Sequence, residues 1–378
     1  MPPSGRYDVV IRGGTVYDGT GAAGVRADVA VRGDRIAAVA VIAERGAAEL
    51  DANGLAVAPG FIDVHSHDDY AVVLDPPIPF KVMQGVTTDI VGNCGSGVAP
   101  FPAGLARFSR LHPGAAPAPW EGYAGYLARV GEAGPSLNVA VLIGHGTLRS
   151  GAMGAAQRAP SQDELDRMGA WVREGVEAGA VGLSTGLIYE PGRYAATDEV
   201  IALARELGAQ GGLYATHMRN EGDGLLDAVR EAIRIGEEAG VPVQISHHKA
   251  SGSRNWGRVR DSLRLIEAAR ARGLDVTADQ YPYTAGSTSF AAVMQNGAFR
   301  ADSPGGLGQL GADAVLVASA PKHPEYEGLT LAASQRTGPF RWGRPRRGWC
   351  RRRARPASSS CSPWTRPMSA RCSPIPPR

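Results

Sequence analysis

The chain has 378 residues, 43% hydrophobic and 20% charged, the composition of a folded globular protein and not of a disordered one. No run of 18 apolar residues occurs, which excludes a transmembrane helix. The net charge of +3 conceals two parts: residues 334–378 hold 12 Arg and no acid, so residues 1–333 carry 28 basic against 37 acidic residues, a net of −9 that argues against nucleic-acid binding by this body.

In chain order, Tyr7–Tyr17 and Ala27–Ala40 alternate or run apolar between glycines and read as β-structure, and Ala56–Val64 leads into another strand. The pattern then changes to strands alternating with helix-length segments. Strands are expected at Thr87–Val91, Val139–Gly144, Val181–Leu187, Leu213–His217, Val243–His247 and Asp275–Tyr281. Helices are expected at Gln162–Ala178, Asp198–Gln210, Leu225–Ala239 and Val259–Arg272. Ser161 and Thr197 stand where N-caps belong, each followed by acids in the first turn. Such alternation predicts an α/β fold with a parallel sheet, either a closed (β/α)8-type barrel or an open doubly wound sheet. The open sheet normally carries a Gly-rich phosphate turn after its first strand, and none is present.

Five of the eight histidines, His65, His67, His145, His217 and His247, fall at or just past the end of a predicted strand, and Cys94 does the same. A barrel gathers such positions on one face. His65 and His67 are two apart and share a strand face, so both imidazoles can reach one ion. Imidazole and thiolate suit zinc and similar metals. Each residue alone has a blander reading: a buried thiol, a hydrogen-bonded core histidine, a strand cap for His145. His248 points away from His247 along the strand, and His112 and His323 read as loop residues. Four Cys are too few for a disulfide scaffold, and the start lacks an export pattern, so a cytoplasmic location is expected.

Taken in order, YDVVIRGGTVYDGTG, APGFIDVHSHDD, GVTTDIVGNCG, GAVGLSTGLIYEPG, YATHMRNEG, ISHHK, DQYPYTAGSTS and ASAPKHPEYEGLTL resemble the amidohydrolase superfamily, and within it the N-acyl-D-amino-acid deacylases. The resemblance runs from about Tyr7 to Ala333. It implies a TIM barrel, incomplete at its C-terminus (residues 58–333), and a small β-sandwich domain formed mainly by the N-terminus (residues 1–57). It implies zinc, with one tight site and a second, weaker one. His65 and His67 match one metal-binding pair, Cys94 the bridging thiolate, and His217 and His247 the ligands of the tighter site. Lys249 and Tyr281 match groups that hold the carboxylate of a small N-acyl amino acid substrate. The implied activity is hydrolysis of that amide, with no membrane or nucleic-acid partner. Cyclic-amide hydrolases of the dihydroorotase or hydantoinase type are the rival. They bridge their metals with a modified Lys on the fourth strand, and Val181–Leu187 has no Lys. An inactive truncated amidohydrolase is the other rival. The proton-shuttling Asp of the family lies in a later Ser-Asp motif that finds no match here, so the catalytic residue stays unassigned. The Arg- and Pro-rich stretch 334–378 reads as out of frame, against the alternative of a basic tail for an acidic partner.

Overall fold

The structure is a computed structural model that describes residues 7–111, 114–115, 117–208, 211–290, 294–295, 298–299 and 312–337. Nearly all of the Arg-rich tail therefore lies outside the described residues. Two compact units divide the chain between Phe61 and Ile62.

The N-terminal unit is built on β1 (Tyr7–Val16), β2 (Val25–Arg32), β3 (Arg35–Ala40), β4 (Gly46–Asp51) and β5 (Ala56–Val57). They form one sheet in the order β3-β2-β1-β4, with β5 also on β1. β2 and β3 make an antiparallel hairpin, whose turn is served by Gly33 at φ 58. Tyr7, Val10, Ala30 and Ile42 form its small core. Arg12 spans the sheet, paired with Asp28 at 3.2 Å and Glu49 at 2.6 Å.

The second unit is organised on seven strands: β6 (Phe61–Asp63), β7 (Val86–Val91), β8 (Asn138–Gly144), β9 (Gly182–Gly186), β10 (Leu213–His217), β11 (Val243–Ile245) and β12 (Val276–Ala278). Their spatial order is their sequence order, and the pairings from β7 to β12 are parallel. Parallel neighbours need crossovers, which helices supply. In chain order these are α1 (Ala71–Leu74), α2 (Pro79–Val82), α3 (Phe101–Leu111), α4 (Gly122–Ala133), α5 (His145–Met153), α6 (Gln162–Ala178), α7 (Thr197–Arg205), α8 (Leu225–Ala239) and α9 (Val259–Ala271). The sheet curls, because His65, just past β6, meets Asp279, just past β12, with Nδ1 3.3 Å from Oδ1. This is the parallel-strand half-barrel of a (β/α) fold, with its strand ends on one face.

Local signals explain the helices. Ser161 caps α6 through a complete capping box with Glu164, and Gly179 ends it in the left-handed region. On α8, Leu225, Ala228, Val229, Ala232, Ile233 and Gly236 recur at helical spacing and are buried against the sheet. Thr197 corrects its expected cap role: it is the first residue of α7, and its hydroxyl donates to Glu231 Oε1 at 2.8 Å. Leu183, Tyr214 and Ile245 from the strands, with Val172, Val200 and Leu203 from the helices, belong to one continuous core. A smaller cluster of Val317, Tyr326 and Leu331 lies late in the chain. No helix among the described residues is long and apolar enough to cross a membrane.

Candidate metal centre

The C-terminal ends of the strands bring five of the expected residues together. His65, His67 and Cys94 form one group of ligand-type atoms within 4.8 Å of one another, and Cys94, His217 and His247 form a second. Cys94 belongs to both. Its Sγ lies 3.4 Å from His65 Nε2, 3.7 Å from His217 Nδ1 and 3.7 Å from His247 Nε2.

The loop that presents Cys94 is stapled to the neighbouring strand. Ser184 of β9 donates its hydroxyl to the Gly92 carbonyl and accepts from Gly95 N at 3.1 Å. A side chain at Gly92 would strike the Leu142 carbonyl at 2.3 Å, and one at Gly95 the Gly186 amide at 2.8 Å. Both glycines also have positive φ, so only glycine fits on either side of Asn93-Cys94. Cys94 itself is at φ 54 and His247 at φ 38. Such left-handed conformations in non-glycine residues cost about 1–3 kcal/mol each and cluster where function needs them.

Carboxylates orient two of the rings. His247 Nδ1 is 2.7 Å from Glu221 Oε1, which turns Nε2 toward Cys94. His65 Nδ1 faces Asp279, which also accepts from the His247 amide at 2.5 Å and from Gln244 Nε2 at 3.0 Å. His217 differs: Nδ1 faces the cluster, 2.8 Å from His247 Nε2, while its buried Nε2 has no hydrogen-bond partner.

Charge follows geometry. Burial alone would push the Cys94 thiol up, but contacts from His217, His247 and His65 outweigh it and hold it well below the usual thiol range. Burial would lower His65 and His247, yet Asp279 and Cys94 carry His65 up to about 10, and Cys94 and Glu221 carry His247 up to about 9. Burial prevails at His217 and lowers it. Glu221 is held down to about 2: burial opposes ionisation, but His217, His247 and Lys249 overcome it.

The donor set fits a zinc-type ion. Bonds of about 2.3 Å to sulfur and 2.0 Å to nitrogen at a tetrahedral angle put S···N near roughly 3.5 Å, against the observed 3.4–3.7 Å. The 2.8 Å between His217 and His247 nitrogens is shorter than the roughly 3.3 Å expected of two imidazoles on one ion, so these rings would spread slightly on binding.

The remaining expected residues separate. His145 is fully buried and leaves the cluster: Nε2 meets Glu199 Oε1 at 2.9 Å, and Glu199 also holds Arg149 at 2.5 Å. His248 turns away, 2.8 Å from Ser262 Oγ. Lys249 lies beside the cluster, with Nζ 2.6 Å from Glu221 Oε1 and 3.0 Å from the His247 carbonyl. The Tyr281 ring sits 5.6 Å from that ammonium and stacks on Tyr283 at 6.3 Å.

Three residues escape the sequence reading. Glu221 and Asp279 orient rings, and Tyr189 places its hydroxyl 3.4 Å from His217 Nδ1 with the two rings edge to face at 4.9 Å. Glu221 stands four residues after His217 in His217-Met218-Arg219-Asn220-Glu221, and Asp279 directly follows a strand, as the histidines do. Those two signals were available; Tyr189 carried none.

A sequence model of the Amidohydrolase family matches residues 48–315, and the chain belongs to that family. It is 45% identical over 285 residues to the D-aminoacylase of Alcaligenes xylosoxydans xylosoxydans, covering 75% of this chain and 58% of that protein. To the N-acyl-D-glutamate deacylase of the same organism it is 40% identical over 341 residues, covering 89% of this chain and 66% of the relative. The chain thus spans less than two thirds of the length of these curated relatives. Among solved structures, the N-acyl-D-glutamate deacylase of Bordetella bronchiseptica, complexed with zinc and a phosphonate mimic of the tetrahedral intermediate, superposes with a TM-score of 0.76 at 39% identity, covering 87% of this chain and 67% of that one.

Proposed function

We propose that this chain carries the metal-binding site of a deacylase that hydrolyses the amide bond of N-acyl-D-amino acids. The observation that carries the reading is the convergence of Cys94, His217 and His247 in a geometry suited to one tetrahedral ion. The chemistry of the curated relatives and the zinc in the deacylase structure support it. Cys94, His217 and His247 would hold the tighter ion, and His65 and His67, sharing Cys94, a weaker one. Zinc at such a donor set supplies Lewis acidity, polarising a carbonyl and lowering the pKa of water.

The chain's own residues then divide the work. Tyr189 directs its hydroxyl into the cluster, where it donates to the substrate carbonyl oxygen and stabilises the charge that develops there. Lys249 and Tyr281 hold the substrate carboxylate. His247 Nδ1–H is donated to Glu221, so it cannot also accept from Lys249, and one ammonium N–H is left for the substrate. Glu221 neutralises part of that cation, which limits the carboxylate contact to one directed hydrogen bond and not a free charge. Glu221 and Asp279 are each committed to two or more partners, so neither is placed to take a proton from water.

The test is amine release by the zinc-loaded chain from N-acetyl-D-methionine, N-acetyl-D-glutamate and N-acetyl-D-aspartate, with the L-forms as controls. D-selective release that Tyr189→Phe reduces by roughly 10²-fold, as loss of an oxyanion donor does, supports the reading. Hydrolysis of dihydroorotate or hydantoin in preference to these amides would overturn it.

A further inference from the structure

We propose that Arg219 is a positioning residue: it fixes the Leu187–Ala195 loop and thereby holds the Tyr189 hydroxyl against His217. The inference rests on the reading of Tyr189 given above. The loop leaves β9 at Gly186 and is pinned at its start by Leu187 N donating to the His217 carbonyl at 3.0 Å. Two residues further along the same strand end, Arg219 pins the other end. Its Nη1 donates to the Arg193 carbonyl at 3.1 Å and its Nη2 to the Ala195 carbonyl at 2.9 Å. Both ends of the loop are therefore tied to the segment His217–Arg219, which also carries a residue of the candidate metal centre.

Arg219 is itself held. Glu231 on α8 accepts from Nε at 3.1 Å and from Nη2 at 2.9 Å, a bidentate fork, and also accepts from Thr197 at the start of α7. This arrangement argues for a structural role over a direct substrate contact, since the guanidinium charge is matched by Glu231 and four of its five N–H donors go to Glu231 and two carbonyls. It also requires arginine. A lysine ammonium can reach Glu231 or a carbonyl, but cannot present the planar fork that serves all three at once. Inside the loop, Tyr189 N donates to the Gly186 carbonyl and Arg193 N to the Tyr189 carbonyl at 2.8 Å. Movement at Arg193 is thus passed to Tyr189 through one hydrogen bond. The Tyr189 hydroxyl has Thr288 Oγ1 at 3.1 Å as its other polar neighbour.

The experiment uses the full zinc-loaded chain as wild type, Arg219→Lys, Glu231→Gln, Tyr189→Phe and the Tyr189→Phe/Arg219→Lys pair. Hydrogen exchange of residues 187–195, zinc content, and kcat and KM for N-acetyl-D-amino acids are measured. Arg219→Lys is expected to speed exchange in 187–195 by about 10-fold or more, with β10 protection and zinc content unchanged. It is expected to lower kcat by roughly 10–10²-fold with little change in KM, as a displacement of about 1 Å does. Glu231→Gln gives a smaller change of the same kind. In the pair, Arg219→Lys costs nothing beyond Tyr189→Phe. Unchanged exchange in 187–195 overturns the clamp whether or not turnover is seen. A full further kcat loss in the pair overturns the link to Tyr189. Wild-type activity of Tyr189→Phe together with faster exchange in Arg219→Lys would reject the reading of Tyr189 and leave the clamp standing.

Discussion

The two sides of the candidate centre are braced in opposite ways. On the β10–β12 side, His217 and His247 are flanked by Glu221 and Asp279, carboxylates held below their usual range because each faces imidazoles or Lys249. On the β6–β7 side, the exposed His67 interacts with Asp69, and Asp89 accepts from Ser66 between the two histidines in sequence; burial pushes these acids up to about 6 and about 7. Asp69 Oδ1 is buried with no hydrogen-bond partner, and Asp89 shares Lys81 with Asp63 and Asp68. The first side carries ionised carboxylates: Glu221 orients the His247 ring, and Asp279 accepts from the His247 amide and reaches across to the His65 ring. The second holds Asp69 and Asp89, two acids whose ionisation burial resists. In the proposed reading the tighter ion falls on the first side, where Glu221 orients His247 and raises its basicity and where Cys94 and His217 are both buried.

Breaking the first side is expected to have the largest effect. His217→Ala should weaken binding of the first zinc equivalent by more than the roughly 10–100-fold that loss of an outer partner costs, measured by competition with a chelator, whereas His67→Ala should leave that first equivalent bound. Glu221→Gln comes next. It should cost roughly 10–100-fold in the same assay, because His247 loses its orienting carboxylate. In the apo protein Glu221 also favours folding: its contribution is complete above about pH 4.5 and is lost as the pH falls toward about 2. Glu221→Gln should therefore flatten the acid limb of the urea midpoint against pH.

Asp69 sharpens the contrast with the reverse sign. Its folded pKa is raised from 3.8 to about 6, so its contribution to stability declines as the pH rises from about 4 to about 6 and is flat above. Relative to wild type, Asp69→Asn should gain stability across that interval, on the order of 1–3 kcal/mol, read from urea midpoints at pH 4 and pH 7. The smallest effect lies away from both sides. Ser161→Ala removes the α6 cap and should cost about 1 kcal/mol in stability, with zinc affinity unchanged.

The sequence was most legible where one local signal sufficed. α6, β10 and α8 match their expected bounds, because periodic apolar residues end at Gly179 and Gly240 and the α6 cap is a complete box. The strand expected over Val243–His247 stops at Ile245, since His247 leaves extended geometry for φ 38 to aim its ring. β4 was not expected, because Gly46–Asp51 lacks a clear alternation and is mostly exposed. At the site, ligand-type residues at strand ends could be read from residue type and position. The pairings could not: Asp279 stands at a strand end like the histidines, but that it meets His65 from the far end of the sheet, and that Tyr189 reaches His217 from a loop tied to Arg219, shows only in the fold. Such roles depend on tertiary closure, which no local pattern encodes.

The central claim is that Cys94, His217 and His247 hold one metal ion together. Titrating the metal-free protein with Co2+ and following absorption tests it most directly, because a thiolate ligand gives a near-ultraviolet charge-transfer band and a tetrahedral site gives intense visible bands. The account predicts that both rise with the first equivalent, that the charge-transfer band disappears in Cys94→Ser, and that both survive in His67→Ala. A first equivalent that binds without the charge-transfer band, or a band that persists unchanged in Cys94→Ser, would contradict it.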